Sequence, residues 1–285
     1  MFSVITPTYN RSSLIANAID SLINQTFQDW ELIIVDDGST DETLKIVSSY
    51  FSDSRIKYYR QDNKGRSSAR NLGIRKAQSD FICFLDSDDY YLPDHLKLIY
   101  ESLKSHDFKN AFYYGNTFED VNGTLKKVKE INYHGENCYE FFFLNPIGSP
   151  RVCLRREVFN KHLFDQSLST GEDTELWMRI MPLDIICTKH FSQAYCSHQG
   201  RSIFQNTKPI LEDLKLKKQL FKKYRNKIKY MVYRNGIGYQ YLKLARYYNE
   251  NSSFKCFIYV LIGLFYSPFN FTKEKLFLIK KSIFS

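Results

Sequence analysis

The run FICFLDSDD at residues 81–89 constrains this chain more than any other segment. Five apolar residues lead straight into Asp86, Asp88 and Asp89, as a buried strand does when it ends in an acidic cluster. Carboxylates this close repel one another, and a core strand can end on them cheaply only with a cation between them. Asp86 and Asp88 are two residues apart and so share one side of an extended chain. The pattern predicts a hard divalent metal held over the edge of a sheet, and hence a metal-dependent enzyme.

The chain before this run says what kind of sheet. Phe2–Thr6 is a short apolar strand that ends at Pro7. Ser12 or Ser13 can cap a helix whose apolar face is Leu14, Ile15, Ala18, Ile19, Leu22 and Ile23. Glu31–Val35 reads as the next strand, and Ser39 with Glu42 as a capping box opening a helix to about Phe51. Ile56–Arg60 and Phe81–Leu85 are further strands, separated by a helix over Ser67–Ala77, and Pro93 with Asp94 starts a helix to about Lys104. Strand and helix alternating at these lengths predict a doubly wound, mostly parallel α/β sheet. In such sheets ligands collect at the carboxyl ends of strands, where the acidic turns fall.

Beyond Ala111 the pattern loosens. Phe112–Phe118 reads as a strand, Asn122 and Gly123 as a hairpin turn, and residues 137–144 as a helix. Pro146–Pro150 reads as a loop near a substrate or a crossover. From about Thr207 the chain becomes helical and rich in Lys and Tyr, with a hairpin of Gly236–Tyr248 and Phe254–Tyr266 joined at Asn249–Ser253. The expected boundaries are a domain over 1–206, in halves of about 1–110 and 111–206, and a C-terminal region over 207–285.

The net charge of +9 is unevenly spread: the chain from Arg201 onward carries +14 and the part before it −5. A mildly acidic body with a basic tail points to an anionic partner for the tail alone. Phe254–Tyr266 is nearly all apolar but shorter than the roughly 20 residues a span needs. It suits a helix packed on the domain or lying on a membrane surface. The six cysteines have no metal-binding spacing and read as reduced thiols of a cytosolic protein, and the start lacks a signal-peptide pattern.

Five segments together resemble the family 2 glycosyltransferases, inverting enzymes of the GT-A fold: VITPTYN (4–10), VDDGSTD (35–41), GRSSARNLG (65–73), FLDSDD (84–89) and GEDTELW (171–177). The likeness covers about Phe2 to Ser202 and implies a Rossmann-like sheet with helices on both faces. It assigns Asp88 as the main ligand of Mn²⁺ or Mg²⁺, with Asp86 on the ribose or on a metal-bound water, and places His198 near the metal and pyrophosphate. Pro7, Thr8 and Tyr9 fall on the nucleotide, Tyr9 offering a ring to the base. Asp37 falls on the uracil or ribose. Arg66 and Arg70 begin a helix and suit a diphosphate, because guanidinium groups and free backbone N–H groups both favour anions. Asp173 is assigned as catalytic base, with Glu172 beside it and Trp177 as a platform for the acceptor.

Each residue also has a plainer reading: Tyr9 packed in a turn, Asp37 in an Asx turn, the arginines on a solvated face, Glu172 and Asp173 complementing a helix dipole, and Trp177 in the core. The resemblance implies transfer of a sugar from a nucleotide diphosphate sugar, UDP-linked by first preference. The acceptor is a glycan or lipid-linked hydroxyl in surface-polysaccharide synthesis, met in the cytoplasm or at the inner face of the membrane. The alternative is an inactive nucleotide-binding scaffold of a polysaccharide assembly complex. No nucleic-acid-binding module and no phosphate-binding G-x-x-x-x-G-K-[ST] loop is present, so nucleic acid is not an expected partner.

Overall fold

The computed structural model describes residues 1–181, 183–196, 206–249 and 252–268, with Lys275 and Leu278. The chain divides into two compact units. One comprises Met1–Gly135, Ile147–Leu168 and Glu172–Ser197, the other Glu136–Pro146, Ser169–Gly171 and His198–Ser285.

The first unit is built on a sheet of β1 (Phe2–Thr8), β2 (Trp30–Asp36), β3 (Ile56–Arg60), β4 (Phe81–Phe84), β5 (Asp89–Tyr91), β6 (Ala111–Val121), β7 (Thr124–Lys127), β8 (Val152–Arg155) and β9 (Asp184–Cys196). The spatial order is β3-β2-β1-β4-β8-β6-β9-β5, with β7 on β6. The first four positions are parallel, β1 pairing with β2 and β4, and β2 with β3. β8 then runs antiparallel to both β4 and β6, and β9 returns parallel to β6. The parallel half carries the acidic turns at its carboxyl end, as the alternation of elements predicted.

Side-chain alternation along β1 separates the two faces of the sheet. Phe2 and Val4 join the core made with α1 (Ile15–Ile23), α2 (Thr43–Ser48) and α4 (His95–Ser105) through Ile19, Val47 and Leu96. Ile5 points the other way, against α3 (Arg66–Lys76). At Gly73 of α3 an added Cβ would lie 2.4 Å from Ile5 Cγ2, so only glycine lets the helix sit this close to the strand.

Two expected caps do not form. α1 begins at Ile15 with no side-chain cap, and α2 begins at Thr43 and ends at Ser48. Asp41 takes both duties, its carboxylate accepting from the backbone N–H of Ser12 and of Thr43, 3.0 Å each. Ser39 is drawn elsewhere, its hydroxyl accepting from Asn10 N–H at 2.9 Å. The expected hairpin does form: Asn122 and Gly123 both have positive φ (52° and 82°), and β6 pairs with β7 across them.

The second unit contains α5 (Cys138–Leu144), α7 (Lys208–Lys223), α8 (Tyr230–Tyr248) and α9 (Ser253–Tyr266), α6 (Glu172–Ile180) belonging to the first. Asn137 caps α5, accepting from Tyr139 N–H at 2.9 Å. α8 begins six residues before the expected start, because its glycines admit neighbours rather than break the helix. A Cβ at Gly236 would meet the Phe143 ring at 2.5 Å, and one at Gly238 would meet Ser267 Cβ at 2.7 Å. Tyr241 stacks on Tyr259 and Tyr266, and Tyr248 on Tyr259, so aromatic rings line the α8–α9 seam.

Candidate active site

The acidic cluster forms where β4 ends. One carboxylate oxygen each from Asp86, Asp88 and Asp89 lies within 4.8 Å of the others. Metal–oxygen bonds of about 2.0–2.6 Å put two ligands of one ion about 4–5 Å apart, so the donor set fits Mn²⁺ or Mg²⁺. Asp89 is the buried member, accepting from Gln193 Nε2 at 3.4 Å and Cys196 N–H at 3.3 Å. Arg11, which the sequence did not single out, brings Nη2 to 3.9 Å from Asp88 Oδ2.

Pro7 and Thr8 are the last residues of β1, paired with Val35 and Asp36. Thr8 Oγ1 is buried with no hydrogen-bond partner among the described residues. Tyr9 follows with 45% exposure, a ring free to stack rather than one packed in the turn. Asp37 is 4% exposed and committed to the protein: it accepts from Gln61 Nε2, Lys64 N–H and Gly65 N–H at 2.7–2.9 Å. Its neighbour Asp36 is fully buried, accepting from Ser39 N–H and from the Tyr58 hydroxyl. The carboxylate of Asp37 thus holds the loop that opens α3 in place, its oxygens taken by donors of the protein itself.

The arginines of α3 correct the sequence reading. Arg70 is 2% exposed and donates to Asp86 Oδ1 at 2.8 Å and Glu172 Oε1 at 2.9 Å, with Asp173 Oδ1 at 3.8 Å. Burial alone would lower its pKa, but the charges of Asp86, Asp173 and Glu172 raise it well above the ordinary value. Arg70 therefore ties three acids together instead of presenting a diphosphate contact. Arg66 Nε binds Glu172 Oε1 at 2.7 Å while its side chain stays 45% exposed. Glu172 is closed between the two arginines at 2% exposure, which removes it as an acceptor contact.

Asp173 keeps 21% of its side chain exposed. Burial and the adjacent Glu172 charge push its carboxyl up to about 6, with Arg70 and the Ser149 hydrogen bond pulling the other way. It is thus ionised at neutral pH yet basic enough to take a proton. Ser149, fully buried on a 3-10 turn (Ser149–Arg151), donates its hydroxyl to Asp173 Oδ1 and its N–H to Oδ2, the latter at 3.2 Å. This clamp was invisible in the sequence beyond the loop reading of Pro146–Pro150.

Trp177, one turn after Asp173, is fully buried. Its Nε1 donates to Ile147 O at 2.7 Å, and the ring meets Phe112 and Phe164 edge-on. An acceptor platform needs an exposed face, so Trp177 is a core residue. His198, Arg201 and Ser202 lie outside the described residues.

Comparison with known proteins gives the family and the fold. A family model described as "Glycosyl transferase family 2" matches residues 3–163. An Escherichia coli protein named UDP-Glc:alpha-D-GlcNAc-diphosphoundecaprenol beta-1,3-glucosyltransferase WfgD is 34% identical over 190 residues, 64% of this chain and 70% of that one. An uncharacterised glycosyltransferase of Rickettsia bellii is 33% identical over 187 residues, 65% of this chain but 27% of its own length. The chain thus spans about a quarter to a third of the Rickettsia relatives it matches. The Staphylococcus aureus TarS fragment 1–349, solved in complex with UDP-GlcNAc, superposes with a TM-score of 0.66 at 18% identity, covering 99% of this chain and 88% of that one. The mannosyltransferase PcManGT of Pyrobaculum calidifontis, in complex with GDP-Man and Mn²⁺, gives 0.59 at 16% identity, covering 99% and 86%. At these identities the two structures show a common fold, GT-A.

Proposed function

The chain belongs to glycosyl transferase family 2, and from that premise we propose that it is an inverting, metal-dependent glycosyltransferase. It moves a sugar from a nucleotide diphosphate sugar, UDP-linked, to a hydroxyl of a glycan or lipid-linked acceptor during cell-surface polysaccharide synthesis. The observation that carries this reading is the single constellation of a carboxyl cluster (Asp86, Asp88, Asp89) and a separate raised-pKa carboxylate (Asp173), bridged by Arg70.

Asp86, Asp88 and Asp89 would hold Mn²⁺ or Mg²⁺, which when bound supplies positive charge to the diphosphate leaving group. His198 stands as a further proposed ligand. Tyr9 stacks on the base, the backbone of Pro7 and Thr8 borders it, and Asp37 shapes the loop beneath. Arg66, at the start of α3 and half exposed, is the arginine still able to meet the diphosphate. The acceptor hydroxyl attacks the anomeric carbon in line as the carbon–oxygen bond to the phosphate breaks, and its proton passes to Asp173. Ser149 fixes the orientation of that carboxylate by bonding both of its oxygens. The acceptor of WfgD, by its name, is a sugar on diphosphoundecaprenol; we take the same class for this chain.

A lipid-linked acceptor calls for contact with a membrane surface. Among the described residues no helix is long and apolar enough to cross a membrane. α9 instead exposes Phe254 (74%), Leu261 (46%) and Phe265 (72%), and the chain from Arg201 onward carries +14. Apolar side chains with surrounding cations suit the cytoplasmic face of an anionic bilayer. The functional reading is tested by melting the protein with UDP, with and without Mn²⁺, and by assaying transfer in Asp173→Asn. A metal-dependent UDP shift with transfer lost in the variant is expected; full transfer by the variant would remove Asp173 as base.

A further inference from the structure

The 3-10 turn that clamps Asp173 ends in a second unusual residue, Arg151. Its Nε donates to Gly115 O at 2.8 Å and its Nη2 to Asn116 Oδ1 at 3.3 Å. Both acceptors are neutral. No carboxylate among the described residues pairs with this guanidinium, and burial pushes it down to about 10. Arg70, by contrast, meets three acids. A largely buried cation without a counter-charge is costly, and proteins retain one where something else completes it.

A second donor stands beside it. Asn116 is 2% exposed, and its Nδ2 has no hydrogen-bond partner among the described residues. Asn116 lies where the β6–β9 register breaks, between Tyr114 and Thr117, so the strand leaves the regular ladder at this point. The cluster thus sets a donor without an acceptor beside a cation bound only to neutral oxygens.

The cluster's position gives it meaning. Val152 pairs with Tyr114 at the end of the β6–β8 ladder, which sets Arg151 beside Gly115. Ser149, two residues back on the same turn, holds the proposed base. One three-residue turn thus carries both the clamp of the proposed base and the cation of this cluster. We infer that Arg151 and Asn116 form an oxyanion subsite that receives a phosphate or carboxylate carried by the acceptor, close to its reacting hydroxyl. This rests on the reading of Asp173 as base. The planar guanidinium and the amide N–H suit both anions; a phosphate would come from a lipid or polyol phosphate linkage and a carboxylate from an acidic sugar.

The test titrates the full chain with N-acetylglucosamine 1-phosphate, glucuronic acid and neutral N-acetylglucosamine, without nucleotide, reading tryptophan fluorescence and calorimetry. One anionic sugar is expected to bind at least about ten-fold more tightly than the neutral one, the fold expected from one charge-assisted hydrogen bond. Which anion wins names the source. Arg151→Met should erase the preference, Arg151→Lys should keep part of it, and Asn116→Asp, which supplies a counter-charge in place, should erase it without removing the arginine. Equal binding of all three sugars by the natural protein, or an undiminished preference in both Arg151→Met and Asn116→Asp, overturns the subsite. UDP with Mn²⁺, titrated separately, reads the donor site and so distinguishes failure of the glycosyltransferase reading from failure of this one.

Discussion

Replacing Arg70 by methionine removes one charge from the centre of three carboxylates, and with it the guanidinium that lies 5.4 Å from the Phe164 ring centre, while keeping most of the apolar stem. Two charge-assisted bonds disappear, to Asp86 at 2.8 Å and Glu172 at 2.9 Å. At about 1.5–3 kcal/mol each they sum to about 3–6 kcal/mol. Breaking a buried ion pair by deleting one partner gives about 3–5 kcal/mol. Both routes meet near 4 kcal/mol at pH 8. Trp30 and Trp177 are the chain's two tryptophans and both belong to the first unit, so fluorescence in urea reports on that unit alone. With a slope of about 2–3 kcal/mol per molar, the midpoint should fall by about 1.3–2 M. The loss should shrink with acid. Arg70 lowers the Asp173 carboxyl, so without it that group titrates above the value of about 6 it has in the natural protein. By pH 5 the variant has taken up protons that remove its unpaired charge, and its deficit narrows. A loss below about 1 kcal/mol at pH 8, or one constant from pH 8 to 5, would refute Arg70 as the tie of the acidic cluster.

Other outcomes follow from the same geometry. Asp173→Asn should lower the transfer rate by about 10²–10⁴-fold while UDP and Mn²⁺ still raise the melting temperature. Transfer by the natural protein should be half-maximal near pH 6 and level at higher pH, since Asp173 must be ionised to accept a proton. Ser149→Ala deletes a hydrogen bond that lowers that pKa, so the acidic limb of the profile should move upward; an unmoved limb would show that Ser149 does not tune the base. Chelation of divalent metal, or Asp88→Asn, should abolish the UDP-induced shift in melting; a shift of full size without metal removes the proposed metal role. Phe254→Ser with Phe265→Ser should release the protein from anionic vesicles in flotation, and retention of the double variant would move the contact elsewhere.

The strands, the helices between them and the acidic turn were legible because each is written in a contiguous stretch. Phe81–Leu85 shows both its burial and its acidic end within nine residues. What was not legible depends on partners far apart in the chain. Arg70 meets Glu172 across 102 positions, and nothing local distinguishes an arginine facing a diphosphate from one facing a carboxylate. β8 has only four residues, too few to carry a period, yet it inserts between β4 and β6 and directly follows Arg151. Trp177 was open between core and platform because an amphipathic helix offers both positions, and only Phe112 and Phe164 decide between them.

The arginine tie also bears on how the chain matures during synthesis. β1 to β4 and α3 are complete by residue 84, so the parallel half can collapse while the rest of the chain is still inside or behind the ribosome. Arg70 is then a solvated side chain with Asp86 as its only available partner among the three acids, because Glu172 and Asp173 emerge some ninety residues later. Formation of α6 is the event that buries it and, in the same step, brings the proposed base into place. Long-range closure of this kind is slow, so the tie forms well after the parallel half has collapsed.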